Sequence, residues 1–228
     1  MKKKTPKELI LETLVEKSTM KQVVYKNTLA TFSDMEKVAK KIVTDLKKNL
    51  VEKDVSVNMR AKGRFEFEIK VAGDILVFHM HTNVFQFDKS HNMWNTSYIK
   101  EDSLRSYCGM INIYNFLADS IKYNRSNDTG YLVARLFINK DQHYFVEGKR
   151  QLGFLYNDFI NASINGKAIQ SIIESSILYV LDFDLLTPSY EMMQEVTVFD
   201  IEEITKNMKL KTGKRLGFRF QADSDAIE

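Results

Sequence analysis

The chain has a single cysteine, Cys108, and only two prolines among its 228 residues. One cysteine excludes an intrachain disulfide, and this usage is typical of proteins that work in a reducing compartment. The low proline content argues against a proline-rich linker. The sequence also lacks an uninterrupted apolar run long enough to cross a bilayer. These absences predict a cytoplasmic protein without a membrane segment.

Glycine motifs that bind phosphates or expose a nucleophile are also missing. The sequence contains no G-x-x-x-x-G-K-[ST], no G-x-G-x-x-G and no G-x-S-x-G. Their absence argues against the commonest ATPase, dinucleotide-binding and α/β-hydrolase classes. A net charge of only +3 produces no overall positive field strong enough to indicate nucleic-acid binding, although it does not exclude a local basic patch.

Apolar residues make up 44% of the chain and include 15 Phe and 10 Tyr, which is enough for a sizeable core. Charged residues, at 28%, are close to the average for globular proteins. No internal repeat and no sharp change in composition divides the sequence. We therefore expect one domain over residues 1–228, with a helical segment at about 5–50 and a mobile tail at about 209–228.

Hydrophobic periodicity predicts an α+β fold: an antiparallel β-sheet built from hairpins, with amphipathic helices packed on it. Thr5-Pro6-Lys7-Glu8 is a typical helix start, with Thr as the cap and Pro at the first helical position. We expect about five to seven strands. The expected strands are Val55–Met59, 64–71, 75–87, 131–138, 143–146 and 196–199; the expected later helices are 103–122, 166–181 and a turn over 201–208 capped by Asp200.

Two histidines stand in the second strand of the central predicted hairpin, as His79-Met80-His81. Residues i and i+2 of a strand point to the same face, so both imidazoles can project together toward one metal ion. Asp88, His91 or His143 would be needed to complete such a site. The structural alternative is that the two histidines are polar residues on the more exposed side of a strand, and we favour it. The sequence predicts no cofactor; the candidate, if these histidines form a site, is a divalent metal ion.

A second candidate site combines Asp54 with Glu68-Ile69-Lys70. Nucleases of the restriction-endonuclease type use an Asp and an E-x-K on neighbouring strands, where the carboxylates hold Mg²⁺ and the lysine activates water. The order of the predicted elements resembles that core. Glu68 and Lys70 also belong to an alternating polar row, however, as the exposed face of any half-buried strand displays. We favour this structural interpretation.

Cys108 is a third candidate, because a thiol in the first turn of the predicted helix 103–122 would have its thiolate stabilised. Catalysis would also need a histidine partner. The alternative, a small buried apolar residue, is commoner for a lone cysteine.

The C-terminal segment is the fourth candidate, since it combines basic residues with Phe218 and Phe220. Basic groups and aromatic rings together are typical of single-strand nucleic-acid binding. The alternative is an edge strand whose charged residues prevent aggregation, and we favour this interpretation. The residues that would bind nucleic acid are Lys209, Lys211, Lys214, Arg215 and Arg219.

The sequence thus predicts a non-enzymatic binding or accessory protein that acts on an unidentified protein partner or on a small-molecule ligand held by the aromatic-rich sheet. The alternatives are a metal-dependent phosphodiesterase or nuclease using Asp54, Glu68 and Lys70, and a metal-binding protein using His79 and His81. The sequence contains no indication of the oligomeric state.

Overall fold

The computed structural model describes residues 4–51, 53–184, 187, 189–199 and 201. Within them, helices cover one face of a seven-stranded antiparallel sheet, which confirms the predicted α+β class. The strands are β1 (Val57–Ala61), β2 (Glu66–Val71), β3 (Asp74–Met80), β4 (Phe85–Gln86), β5 (Tyr107–Leu117), β6 (Tyr131–Asn139) and β7 (Tyr144–Gly148). The α-helices are α1 (Pro6–Thr13), α2 (Thr19–Asn49), α3 (Ser97–Glu101), α4 (Ala118–Lys122), α5 (Gln151–Phe154) and α6 (Gly166–Leu181).

The chain begins with a long helical segment. Thr5 caps α1 as predicted: its side chain accepts a hydrogen bond from the backbone N–H of Glu8, and the Glu8 side chain bonds back to Thr5. A π-helical turn over Leu14–Ser18 joins α1 to α2. No residue of α1 or of this turn is buried, whereas one face of α2 packs on the sheet. None of the helices in the described part of the chain is both long and apolar enough to span a membrane.

The sheet has the strand order β1-β2-β3-β5-β6-β7, with the short β4 beside β5. Strands β1 to β3 and strands β5 to β7 therefore pair in chain order, and the pairing of β3 with β5 passes over β4. The turn expected over residues 72–74, between the predicted strands 64–71 and 75–87, is present but shorter: Ala72-Gly73 connects β2 to β3, with a positive φ of 51° at Ala72, and Asp74 already pairs with Val71. The predicted hairpin between β6 and β7 is also confirmed, and so is helix α6.

Strand β5 corrects the prediction of a helix over 103–122. Tyr107–Leu117 forms the longest strand of the sheet, and only Ala118–Lys122 is α-helical. Every residue of β5 is buried or half-buried, whichever face of the sheet it lies on, and none is charged, so its apolar residues do not alternate with charged ones. Spacings of three and four then occur within a strand as readily as within a helix.

Two smaller predictions also fail. The strand expected over 75–87 ends at Met80, and the chain bends before β4 begins at Phe85. Residues 196–199 do not form a strand, since Val198 and Phe199 are helical. The predicted cap at Asp200 and almost all of the turn over 201–208 lie outside the described residues.

The sheet has two unlike faces. The helix face carries the main core, in which the rings of Phe67 and Phe78 stack with centroids 4.5 Å apart under α2 and α6. The other face, called the outer face below, carries two separate apolar clusters. One cluster lies around Phe137 and Phe145, and the other around Ile75 and Val77. Polar side chains occupy the outer face between these clusters.

Candidate functional site

A row of polar residues crosses the outer face from strand to strand. Opposite positions of an antiparallel pair share a face, and the register aligns the row in the order Glu66, His79, Asn112, Arg135 and Glu147. The histidine of β3 therefore lies on the same face as the carboxylates of β2. Asn112 is only 6% exposed, and its Oδ1 has no hydrogen-bond partner among the described residues.

Glu68 lies next to this row and is buried, with 5% of its surface exposed. Its Oε1 forms an ion pair with Lys62, which belongs to the connection between β1 and β2. Lys62 also lies 3.9 Å from Glu66. The carboxylate of Glu68 is thus paired with a lysine from the connection that precedes its strand.

The two other members of the proposed nuclease set differ in their position relative to Glu68. Lys70 shares the face of Glu68. Asp54 is exposed in the loop before β1, whose first paired residue is Val57 opposite Val71. Arg60, not Asp54, is the residue of β1 opposite Glu68. Asp54 is therefore placed beyond the end of the strand pairing, toward the Ala72-Gly73 turn.

The two predicted metal-binding histidines have different surroundings. His79 projects from β3 beside Asn112, whereas His81 lies past the end of that strand. The Nδ1 of His81 accepts a hydrogen bond of 3.1 Å from the backbone N–H of Asn83, and its ring contacts Phe85 edge-on. Among the residues that the structure describes, no group of three His, Cys, Asp or Glu side chains is placed to hold a metal ion.

Cys108 lies in a strand and not in the first turn of a helix, which corrects the prediction. It is fully buried in the outer cluster with Phe137 and Phe145, and burial raises the pKa of its thiol far above the ordinary value. The thiolate needed for nucleophilic chemistry is therefore strongly disfavoured.

We expect Cys108 to react with an aromatic disulfide reagent about a hundredfold more slowly in the folded protein than in denaturant, because the thiol must be exposed before it can ionise. The measurement is the rate of thiolate release at neutral pH. Leu132→Cys in a Cys108→Ala background provides an exposed control on the same sheet face, because Leu132 is 42% exposed. Equal rates at the two positions would contradict the burial of Cys108.

A cavity of about 500 Å³ opens at the β7 end of the outer face. Phe145 and Glu147 of β7 form its floor, and Phe159 lies beside them with its ring edge-on to Phe145 at 5.1 Å. One wall is formed by residues from the segment 91–96 and the other by residues from the segment 153–160. The polar row therefore ends inside this cavity, because Glu147 belongs to both.

Three side chains meet at the polar end of the cavity. Arg135 binds Oε2 of Glu147, and Nε2 of His91 lies 3.6 Å from its Oε1. The His91 ring also packs on Phe87 at 4.8 Å, and its Nδ1 accepts from the backbone N–H of Met93. The carboxylate is thus held by one oxygen while the other faces the histidine.

Hydrogen bonds connect the first wall to the body of the sheet. Tyr98 donates to Asp141 at 3.0 Å, and Arg105 donates to the same carboxylate. Tyr98 also accepts from Asn139 and stacks on His143, whose Nδ1 lies 3.0 Å from the carbonyl of Phe159. Burial is the main cause that raises the pKa of Tyr98 to about 12, so the phenol stays protonated at neutral pH. These contacts link Tyr98, which follows the first wall, and Phe159 of the second wall to the end of β6 and to the turn between β6 and β7.

Comparisons with protein-family models, with curated proteins and with solved structures gave no match. The geometry alone therefore defines the class: an α+β protein whose sheet carries helices on one face and a polar row ending in a cavity on the other. The basic segment with Lys209, Lys211, Lys214, Arg215 and Arg219 lies outside the described residues.

Proposed function

We propose that the chain is a non-enzymatic binding protein whose ligand is a small molecule held in the cavity over Phe145. The cavity itself is the observation that carries this proposal. Its volume of about 500 Å³ is within the range of small-molecule sites. Its lining combines apolar and aromatic side chains, such as Phe145 and Phe159, with about as many polar ones, among them Glu147 and Asp158.

The contacts around the cavity support a preformed site. The rings of Phe137 and Phe145 stack with centroids 4.9 Å apart, which fixes the floor. Glu147 is held by Arg135, and the wall containing Met93 is tied to the sheet through Tyr98. A site that is rigid before binding loses little side-chain entropy when the ligand enters.

A neutral fluorescent naphthalene, N-phenylnaphthylamine, tests the proposal without a known ligand. Its emission rises in apolar surroundings, and we expect saturable binding with a Kd on the order of 0.1 mM. The variant Asn92→Trp/Ile160→Trp adds an indole ring to each wall, and its affinity should fall about tenfold because the probe and the new rings compete for the same volume.

The control is Val23→Trp/Leu132→Trp, which adds the same rings at exposed positions outside the cavity lining. Its affinity should equal that of the wild type. Absence of saturable binding to the wild type would contradict the proposal. An equal loss of probe affinity in the two double variants would also contradict the proposal, since the probe would then bind outside the cavity.

A further inference from the structure

Two carboxylates, Glu147 and Asp158, are among the polar groups that line the cavity. Oε1 of Glu147 lies 3.6 Å from Nε2 of His91, which is beyond hydrogen-bond distance. The other oxygen of Glu147 is already bound by Arg135. The carboxylate is therefore oriented by the protein and still has an oxygen available for a donor from a ligand.

A second carboxylate, Asp158, lines the opposite wall. Its Oδ1 accepts hydrogen bonds from the backbone and the side chain of Asn161, so this acid is also held by its own segment. Among the described residues, no lysine or arginine lines the cavity. Arg135 offsets part of the charge of Glu147 from outside, which leaves Asp158 to make the cavity acidic overall.

The apolar part of the cavity favours a positive charge for a separate reason. Phe145 and Phe159 present aromatic rings to the same space, and the negative face of an aromatic ring attracts a cation. A flat apolar body can also stack on these rings. A ligand with an aromatic body and a cationic end would therefore match both halves of the site.

Building on the function proposed above, we propose that the cavity selects a small organic cation, namely an aryl-alkyl amine. Its ammonium group donates to Oε1 of Glu147, within the attraction of Asp158. Its aromatic body packs on Phe145 and Phe159. Binding involves no covalent step, so the amine is released unchanged.

Three compounds of nearly equal shape separate charge from size: naphthylmethylamine, naphthylmethanol and naphthoate. Titration by ligand-observed NMR at neutral pH measures the Kd of each. We expect the amine to bind about tenfold more tightly than the alcohol, because a hydrogen bond between charged partners is stronger than one to a neutral donor. The carboxylate should bind most weakly, because it is repelled by both acids.

Two variants test the role of the carboxylate. Glu147→Gln should bring the Kd of the amine to within about threefold of that of the alcohol, with the alcohol little changed. Because this change leaves Arg135 without its partner, Arg135→Gln/Glu147→Gln serves as a second variant with no unpaired guanidinium. Asp182→Asn is the matched control, since Asp182 pairs with Arg150 at 3.0 Å outside this cavity and should leave all three Kd values unchanged.

Each result has a distinct meaning. Equal binding of amine and alcohol to the wild type overturns the cation preference while the cavity remains a binding site. An amine preference that persists in both Glu147 variants overturns the assignment of Glu147 as the anchor. If none of the three compounds binds and N-phenylnaphthylamine does not bind either, the proposed function fails together with the ligand class.

Discussion

Lys62→Met is expected to lower the free energy of unfolding by about 3 kcal/mol, because it leaves the buried carboxylate of Glu68 without a counter-charge. Glu68 is 5% exposed and forms its ion pair with Lys62. Glu66, 3.9 Å from Lys62, would lose the same cation. Urea denaturation, with the midpoint and slope fitted separately, measures the change.

Replacing both partners provides the sharper result. Lys62→Met/Glu68→Leu should recover most of the lost stability, since well-packed apolar residues replace buried ion pairs at little cost. The control Lys37→Met breaks an exposed pair with Asp34, for which we expect a change within about 0.5 kcal/mol. If Lys62→Met changes the free energy of unfolding as little as Lys37→Met, the carboxylate of Glu68 is solvated and our description of this pair is wrong.

Gly109→Ala is expected to cost about 2 kcal/mol, because helix α2 packs directly against β5 at this glycine. A Cβ at position 109 would lie 2.8 Å from the Cβ of Thr28 and closer still to its hydroxyl group. Thr28 is itself fully buried, and its hydroxyl donates to the carbonyl of Val24 at 2.8 Å. Thermal or urea denaturation measures the effect.

A double-mutant cycle identifies the cause of this loss. Thr28→Gly removes the atoms that a new Cβ would meet, so its combination with Gly109→Ala should be more stable than the sum of the two changes by about 1 kcal/mol. Gly73→Ala is the matched control, because a Cβ there has nothing within 4 Å. Additive effects of Gly109→Ala and Thr28→Gly would mean that the helix can shift away from the strand.

The elements predicted well are those with a single buried face. In β2, Phe67 and Ile69 face the helices while Glu66 and Lys70 face outward, so period-two alternation identified the strand and its turn. Helix α6 was predicted for the corresponding reason, since its apolar residues recur at helical spacing. Strand β5 was not, because burial on both faces removes the contrast on which such patterns depend.

The cavity was not predicted because its residues come from three separate segments and form no motif. Residues 91–96 and 153–160 had no clear secondary structure in the sequence. The hairpin between β6 and β7 was predicted, and its observed register places Arg135 opposite Glu147. The predicted strands 131–138 and 143–146 would instead pair Arg135 with Val146, one residue away from that register, so the predicted turn did not identify this charge pair. The position of His91 could not be predicted either, because it depends on how the segment between β3 and β5 folds back.

The strand order has a consequence for how the chain folds. Every pairing along β1-β2-β3 and β5-β6-β7 joins neighbouring strands through a short connection, except for the residues between β5 and β6 that contain α4. The pairing of β3 with β5 requires the longest connection, because residues 81–106 separate these two strands. The entropic cost of closing a loop rises by only about 0.6 kcal/mol for each doubling of loop length. The connection over residues 81–106 can therefore include one wall of the cavity at little cost in stability. Two locally formed three-stranded units that join in a later step are therefore the expected folding route.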